Sequence, residues 1–141
     1  MINASTVLAP VFVQALLTFA LLTWMGYLRV MAVRRGVVHP RDVALGQADW
    51  PPFIMQVSNA YKNQLELPIL FYAVVALALV TVTASTAFVV LAWIFVAFRL
   101  AHALIHVTTN RMSRRFFLFL GGAGILLLMW IMLAGEILFG I

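Results

Sequence analysis

The sequence predicts an all-α membrane protein, a single bundle of four transmembrane helices. Three observations predict it. Of 141 residues, 65% are hydrophobic and only 9% are charged, where a soluble domain carries roughly 25% charged residues. A chain this short cannot hide so much apolar surface in one core, because small domains bury the smallest fraction of their surface. Uncharged runs long enough to cross about 30 Å of hydrocarbon, which takes roughly 20 helical residues, alternate with short polar segments. Finally, nine basic and four acidic residues give a net charge of +5, and six of the eight arginines gather in two of those segments. In a soluble protein this excess would suggest nucleic acid. Beside apolar spans it is the positive-inside pattern, and no nucleic-acid partner is expected. The absence of cysteine excludes disulfides and thiolate metal sites, so any redox chemistry must come from a bound partner.

The elements follow in order. Met1 to Leu28 carries no charge. It lacks the basic n-region of a signal peptide, since Arg29 is the first charge, and reads as a retained helix over about 7–33. A polar loop with Arg34, Arg35, Arg41, Asp42 and Asp49 follows. Pro51 and Pro52 close it, and proline suits the first turn of the next helix. Leu67 to Phe98 is again free of charge. As one helix it would be about 48 Å long, too long for the hydrocarbon core. Its only polar punctuation is Thr81 to Thr86, with Ser85 a suitable N-cap. A tight turn there gives a second helix over about 53–82, kinked at Pro68, and a third over about 86–109. A second basic loop holds Asn110, Arg111, Ser113, Arg114 and Arg115. The fourth helix covers about 114–139. Its Gly121, Gly122 and Gly124 either admit another helix closely or form a flexible point. Gln14 is placed to hydrogen-bond across helices, and Glu136 belongs at the far interface. With no repeat, linker or low-complexity tail, residues 1–141 form one domain.

Orientation follows from the loops. Arg34, Arg35, Arg41, Arg111, Arg114 and Arg115 all fall in the first and third loops, while the N-terminus and the second loop are uncharged. The two basic loops are therefore expected in the cytoplasm and both termini opposite; the compact loops point to a bacterial cytoplasmic (inner) membrane, and an endoplasmic reticulum membrane has the same topology.

Ionisable residues inside a span are expensive, and so mark candidate sites. On the second helix Asn59, Lys62, Asn63 and Glu66 fall at i, i+3, i+4 and i+7, one stripe on one face. On the third, Arg99, His102 and His106 form another. Counted from the shared turn at 1.5 Å per residue, Glu66 and His102 both lie about 24 Å down, and Arg99 about 20 Å. The stripes are level, so Glu66 can pair with Arg99 or His102 and relieve an isolated charge. Lys62 and His106 lie about 30 Å down, at the boundary. With Asn63, Arg111 and Arg115 they line a basic mouth walled by apolar helices. Each group also has a plainer reading. A Glu66–Arg99 pair can simply lock two helices. Lys62, Asn63 and His106 can be a snorkelling belt, and Arg111, Arg114 and Arg115 topology signals. His102 and His106, spaced i, i+4, lack a third ligand, so no metal is expected.

These residues resemble the MAPEG family, the membrane-associated proteins in eicosanoid and glutathione metabolism. Asn59-Ala60-Tyr61-Lys62-Asn63-Gln64-Leu65-Glu66 is similar to its helix 2 pattern R-A-H-x-N-x-x-E. Arg99-Leu100-Ala101-His102, followed by Arg111 and Arg115, resembles its helix 3 pattern R-x-x-H-x-x-x-Y and the arginines beyond. His39-Pro40-Arg41-Asp42 looks like its N-P-E-D element. Asn59 stands where the family has an arginine, and His106 where it has a tyrosine.

The resemblance implies homotrimers of four-helix subunits that bind glutathione between neighbouring subunits near the cytoplasmic face. It implies conjugation of glutathione to lipophilic electrophiles or reduction of lipid hydroperoxides, a detoxifying transferase or peroxidase activity. The family also has a non-catalytic, lipid-binding member, which leaves a lipid- or partner-binding protein as the alternative. Carried over by position, Lys62, Asn63, Glu66 and His102 match glutathione contacts, Arg34 and Arg35 match a basic pair ending helix 1, and Arg115 matches the thiol-activating arginine. His106 and Arg111 complete the expected binding set. The residue types suit the ligand. Lysine and arginine can hold its two carboxylates, and an arginine beside sulfur favours the nucleophilic thiolate. The second substrate, a hydrophobic molecule or lipid, would arrive from the bilayer.

Overall fold

The structure, a computed structural model, describes residues 2–140. It contains α1 (Ala4–Arg34), α2 (Pro40–Ala44), α3 (Pro52–Asn63), α4 (Leu67–Val80), α5 (Thr86–Val107) and α6 (Met112–Phe139), with no strand among the described residues. Four spans are long and apolar enough to cross a membrane: α1, α3 with α4, α5, and α6. The chain is an integral, multi-pass, all-helical membrane protein. The first, third and fourth spans lie close to their expected bounds. The short helix α2, opened by Pro40 at its first turn, occupies what reads in the sequence as loop.

The second span differs from the expected single kinked helix. It breaks completely between Asn63 and Leu67, where Glu66 takes φ −101° and ψ −103°. Pro68 is the cause. It has no N–H for the Gln64 carbonyl, and its ring would collide with that carbonyl in a continuous helix. The last turn of α3 tightens, with Gln64 N donating to Tyr61 O at 2.9 Å and Leu65 N to Lys62 O at 2.9 Å. Side chains take up carbonyls that the break releases. Gln64 Nε2 donates to Ala60 O at 3.2 Å, and an Arg99 Nη2 donates to Asn63 O at 2.8 Å. Broken helices persist in membranes only where the freed backbone groups are met in this way. A guanidinium at a helix C-terminus also matches the helix dipole.

The far turn carries the expected cap: Ser85 Oγ accepts from Phe88 N at 3.2 Å. Val82 there adopts φ 57°, a left-handed conformation that costs a β-branched residue about 1–2 kcal/mol. Towards this end lies the main apolar core. Phe71 of α4 stacks on Phe95 of α5 with centroids 4.6 Å apart, with Met129 and Leu133 of α6 and Val7 of α1 around them. The glycine tract of α6 permits close approach within the chain. A Cβ on Gly121 would lie 2.5 Å from Phe98 Cε1, whereas Gly124 faces open space. Gln14 does bond across helices, its Nε2 donating to Gln64 Oε1 at 3.0 Å.

Candidate functional site

The break in the second span organises the polar end of the bundle. By ending α3 at Asn63 it leaves both polar groups of that residue free to act as a junction. An Arg99 Nη2 donates to Asn63 Oδ1 at 2.6 Å as well as to its carbonyl. Asn63 Nδ2 in turn donates to Glu66 Oε2 at 2.9 Å. The expected direct Glu66–Arg99 pair is thus replaced by a relay through Asn63. The physical reason is the break, which turns Glu66 outward while Arg99 reaches inward to cap α3. Arg99 is 1% exposed, and its Nε and Nη1 have no partner.

Next to this junction is a cavity of about 170 Å³ lined by Asn63, His102, Met112, Arg115, Phe116 and Phe119. Its polar walls are under-satisfied. His102 is 2% exposed, and its Nδ1 has no partner. Arg115 is fixed through Nη1, which donates to Asn110 Oδ1 at 2.7 Å, while its buried Nε has no partner. Asn110 can hold it because the residue sits at φ 47° just after α5, a conformation asparagine tolerates. Behind His102 lies His106, their rings edge-to-face at 5.6 Å, with Nδ1 again unpartnered. Gln56 Nε2 donates to the His106 carbonyl at 2.6 Å and so fastens α3 to the end of α5. Buried polar groups normally find partners, and here guanidinium and imidazole nitrogens without one gather at one end of the bundle.

The sequence-selected residues divide. Asn63, His102 and Arg115 line the cavity together. His106 is buried against His102 but does not line it. Lys62 and Glu66 are exposed on the outer face of α3 and the break. Arg111 is the exposed N-cap residue of α6. Arg34 and Arg35 are exposed at the end of α1, and neither lines this cavity. Sequence reasoning missed Asn110, Met112, Phe116 and Phe119. The polar, turn-forming Asn110 ahead of an arginine was the only signal; the other three resemble ordinary lipid-facing residues.

No curated protein and no solved structure matches the chain. The MAPEG family model matches residues 7–135 of the 141. With its four apolar spans and the polar junction between the second and third, the chain belongs to the MAPEG family.

Proposed function

We propose that the protein is a glutathione-dependent transferase or peroxidase acting on lipophilic electrophiles or lipid hydroperoxides drawn from the membrane. The observation that carries this reading is the cavity in which Arg115, His102 and Asn63 present polar groups beside a junction that ends in Glu66. Its chemistry suits glutathione. The Arg115 guanidinium, anchored by Asn110, would sit beside the sulfur and favour thiolate. The unpaired Nδ1 of His102 would take a carboxylate or amide oxygen. The exposed Glu66 would meet the ammonium. Phe116 and Phe119 supply an apolar wall for the second substrate.

The same reading includes a homotrimer. Small-molecule sites usually enclose roughly 300–1,000 Å³, and the cavity within one chain measures about 170 Å³. The missing wall would come from a neighbouring copy. Exposed Lys62 and Glu66 support this, because charges facing lipid at that depth are costly and a polar inter-subunit cleft would relieve them. Arg35 would then be available to a neighbour's cleft, and the basic loops would face the cytoplasm.

The test uses full-length protein in nanodiscs with glutathione and a chlorinated nitrobenzene. Wild type is expected to form the conjugate. Arg115→Ala is expected to lose about 100-fold in rate, the size of one electrostatic donor at a reacting centre, while keeping its helicity and oligomeric state. Equal inertness of both proteins, each still folded, would rule out the enzyme reading in favour of a non-catalytic binder. Native mass spectrometry of the same samples is expected to show three copies.

A further inference from the structure

A second cavity, of about 290 Å³, opens at the basic end on the other side of α1. It is lined by Arg29, Val30, Val33, Arg34, Val43 and Trp50. Val30, Val33 and Val43 make it apolar, and the two arginines give it a cationic mouth. Arg29 is the residue on which it is built. One Nη2 donates to Ser58 Oγ at 3.1 Å, the guanidinium lies 4.9 Å from the centre of the Trp50 ring, and the buried Nε has no partner. Both contacts are with uncharged groups, so the Arg29 charge is not neutralised by them.

Depth tells what can reach it. Helix α1 has 31 residues, about 46 Å, so some 8 Å would project from each face of a 30 Å core if the helix is centred. Arg29 is ten residues from the central Phe19, about 15 Å, at the level where hydrocarbon gives way to headgroups. Arg34 lies about 7 Å further out. Trp50 supplies the amphipathic ring that favours this level. Val30 and Val33 lie about 1.5 and 6 Å further out than Arg29, level with a lipid's glycerol and ester groups rather than with its tails.

We propose that this cleft is a binding site for one anionic phospholipid. Its phosphate sits between Arg29 and Arg34, with its glycerol and ester groups against Val30, Val33 and Val43 and its acyl chains running inward past Arg29. Asp42 and Asp49 of the same loop are the charges that the headgroup must outcompete. The site shares Arg34 with the set that the family resemblance implies for glutathione, but Arg29 and Trp50, on which it is built, do not line the cavity of Arg115.

The experiment is native mass spectrometry of delipidated, full-length protein in detergent. Phosphatidylglycerol and phosphatidylcholine with identical acyl chains are added at equal concentration. A parallel arm measures thermal stability with either lipid or with inorganic phosphate. Wild type is expected to retain phosphatidylglycerol about fivefold over phosphatidylcholine, roughly what one cation contributes at an anionic surface. Arg29→Gln and Trp50→Leu are each expected to bring the ratio near one. Arg114→Gln, in the other basic loop, is expected to leave it unchanged. If Arg29→Gln does not fold, Trp50→Leu decides. The proposal is overturned by equal retention of the two lipids in wild type, by a preference that survives the decisive variants, or by stabilisation from inorganic phosphate as large as that from phosphatidylglycerol.

Discussion

The two ends of this bundle are built on different principles. At the far end, α4, α5 and α6 meet through Phe71, Phe95, Met129 and Leu133, an apolar core with one unpartnered polar atom beside it, Trp130 Nε1. At the basic end, α3, α5 and α6 meet through Asn63, Arg99, His102 and Arg115, where several buried nitrogens lack partners. Lipid tails are as apolar as leucine, so membrane helices gain little from apolar contact beyond close packing. The far end meets that requirement simply. The basic end accepts orphaned polar groups in a medium that penalises them, and the proposed glutathione would account for that arrangement.

Substitutions can break this comparison. The largest effect in a single chain is expected at Asn63. Asn63→Leu removes the side-chain acceptor for Arg99, leaving it only the carbonyl of residue 63, and removes the donor for Glu66. It should lower stability by about 1–3 kcal/mol, the scale for losing one partner of a buried polar group, and weaken glutathione binding by about tenfold, the worth of one charge-assisted hydrogen bond. Asn63→Asp keeps the acceptor and should hold most of the stability. Denaturation in detergent and calorimetry measure both quantities. A leucine variant as stable and as tight as wild type would show that the junction is ornamental.

The far end should respond in the opposite sense. Phe71→Ala opens the stacked core and is expected to cost about 2 kcal/mol, less than in a soluble core because the transfer contribution largely disappears in lipid. Binding per folded molecule should stay within about twofold, since the sites share no partners. Loss of binding in folded Phe71→Ala would mean that the ends are coupled.

A smaller effect is expected where the ends join. Gly121→Ala drives a Cβ into the Phe98 ring and should cost about 1–2 kcal/mol through forced repacking. Gly124→Ala faces open space and should change stability by less than about 0.5 kcal/mol. Equal responses, read from paired melting curves, would contradict the close seam between α5 and α6.

Much of the fold was legible in the sequence because lipid imposes simple rules. Apolar run length marked four spans, Ser85 marked the cap of α5, and Gln14 stood out as polar where little else was. The break at Glu66 was less legible. A proline within a span is compatible with either a kink or a complete break, and the choice depends on whether side chains can take up the released carbonyls. Gln64 and Arg99 do so, which cannot be read from spacing along one helix. The site was partly legible for the same reason. Helical periodicity placed Glu66, His102 and Arg99 at one level, with Asn63 at the mouth beside them. It could not reveal that the break makes Asn63 the go-between for Arg99 and Glu66. Met112, Phe116 and Phe119 carry no polar signal that separates a cavity wall from a lipid-facing surface.

The central claim is that the polar end of the bundle is a glutathione site. Titrating glutathione into nanodisc-embedded wild type, Asn63→Leu and Phe71→Ala by calorimetry tests it most directly. Saturable heat in wild type and Phe71→Ala, with a marked loss in Asn63→Leu, is the expected result. No binding to wild type at millimolar glutathione, or equal binding by all three proteins, would contradict it.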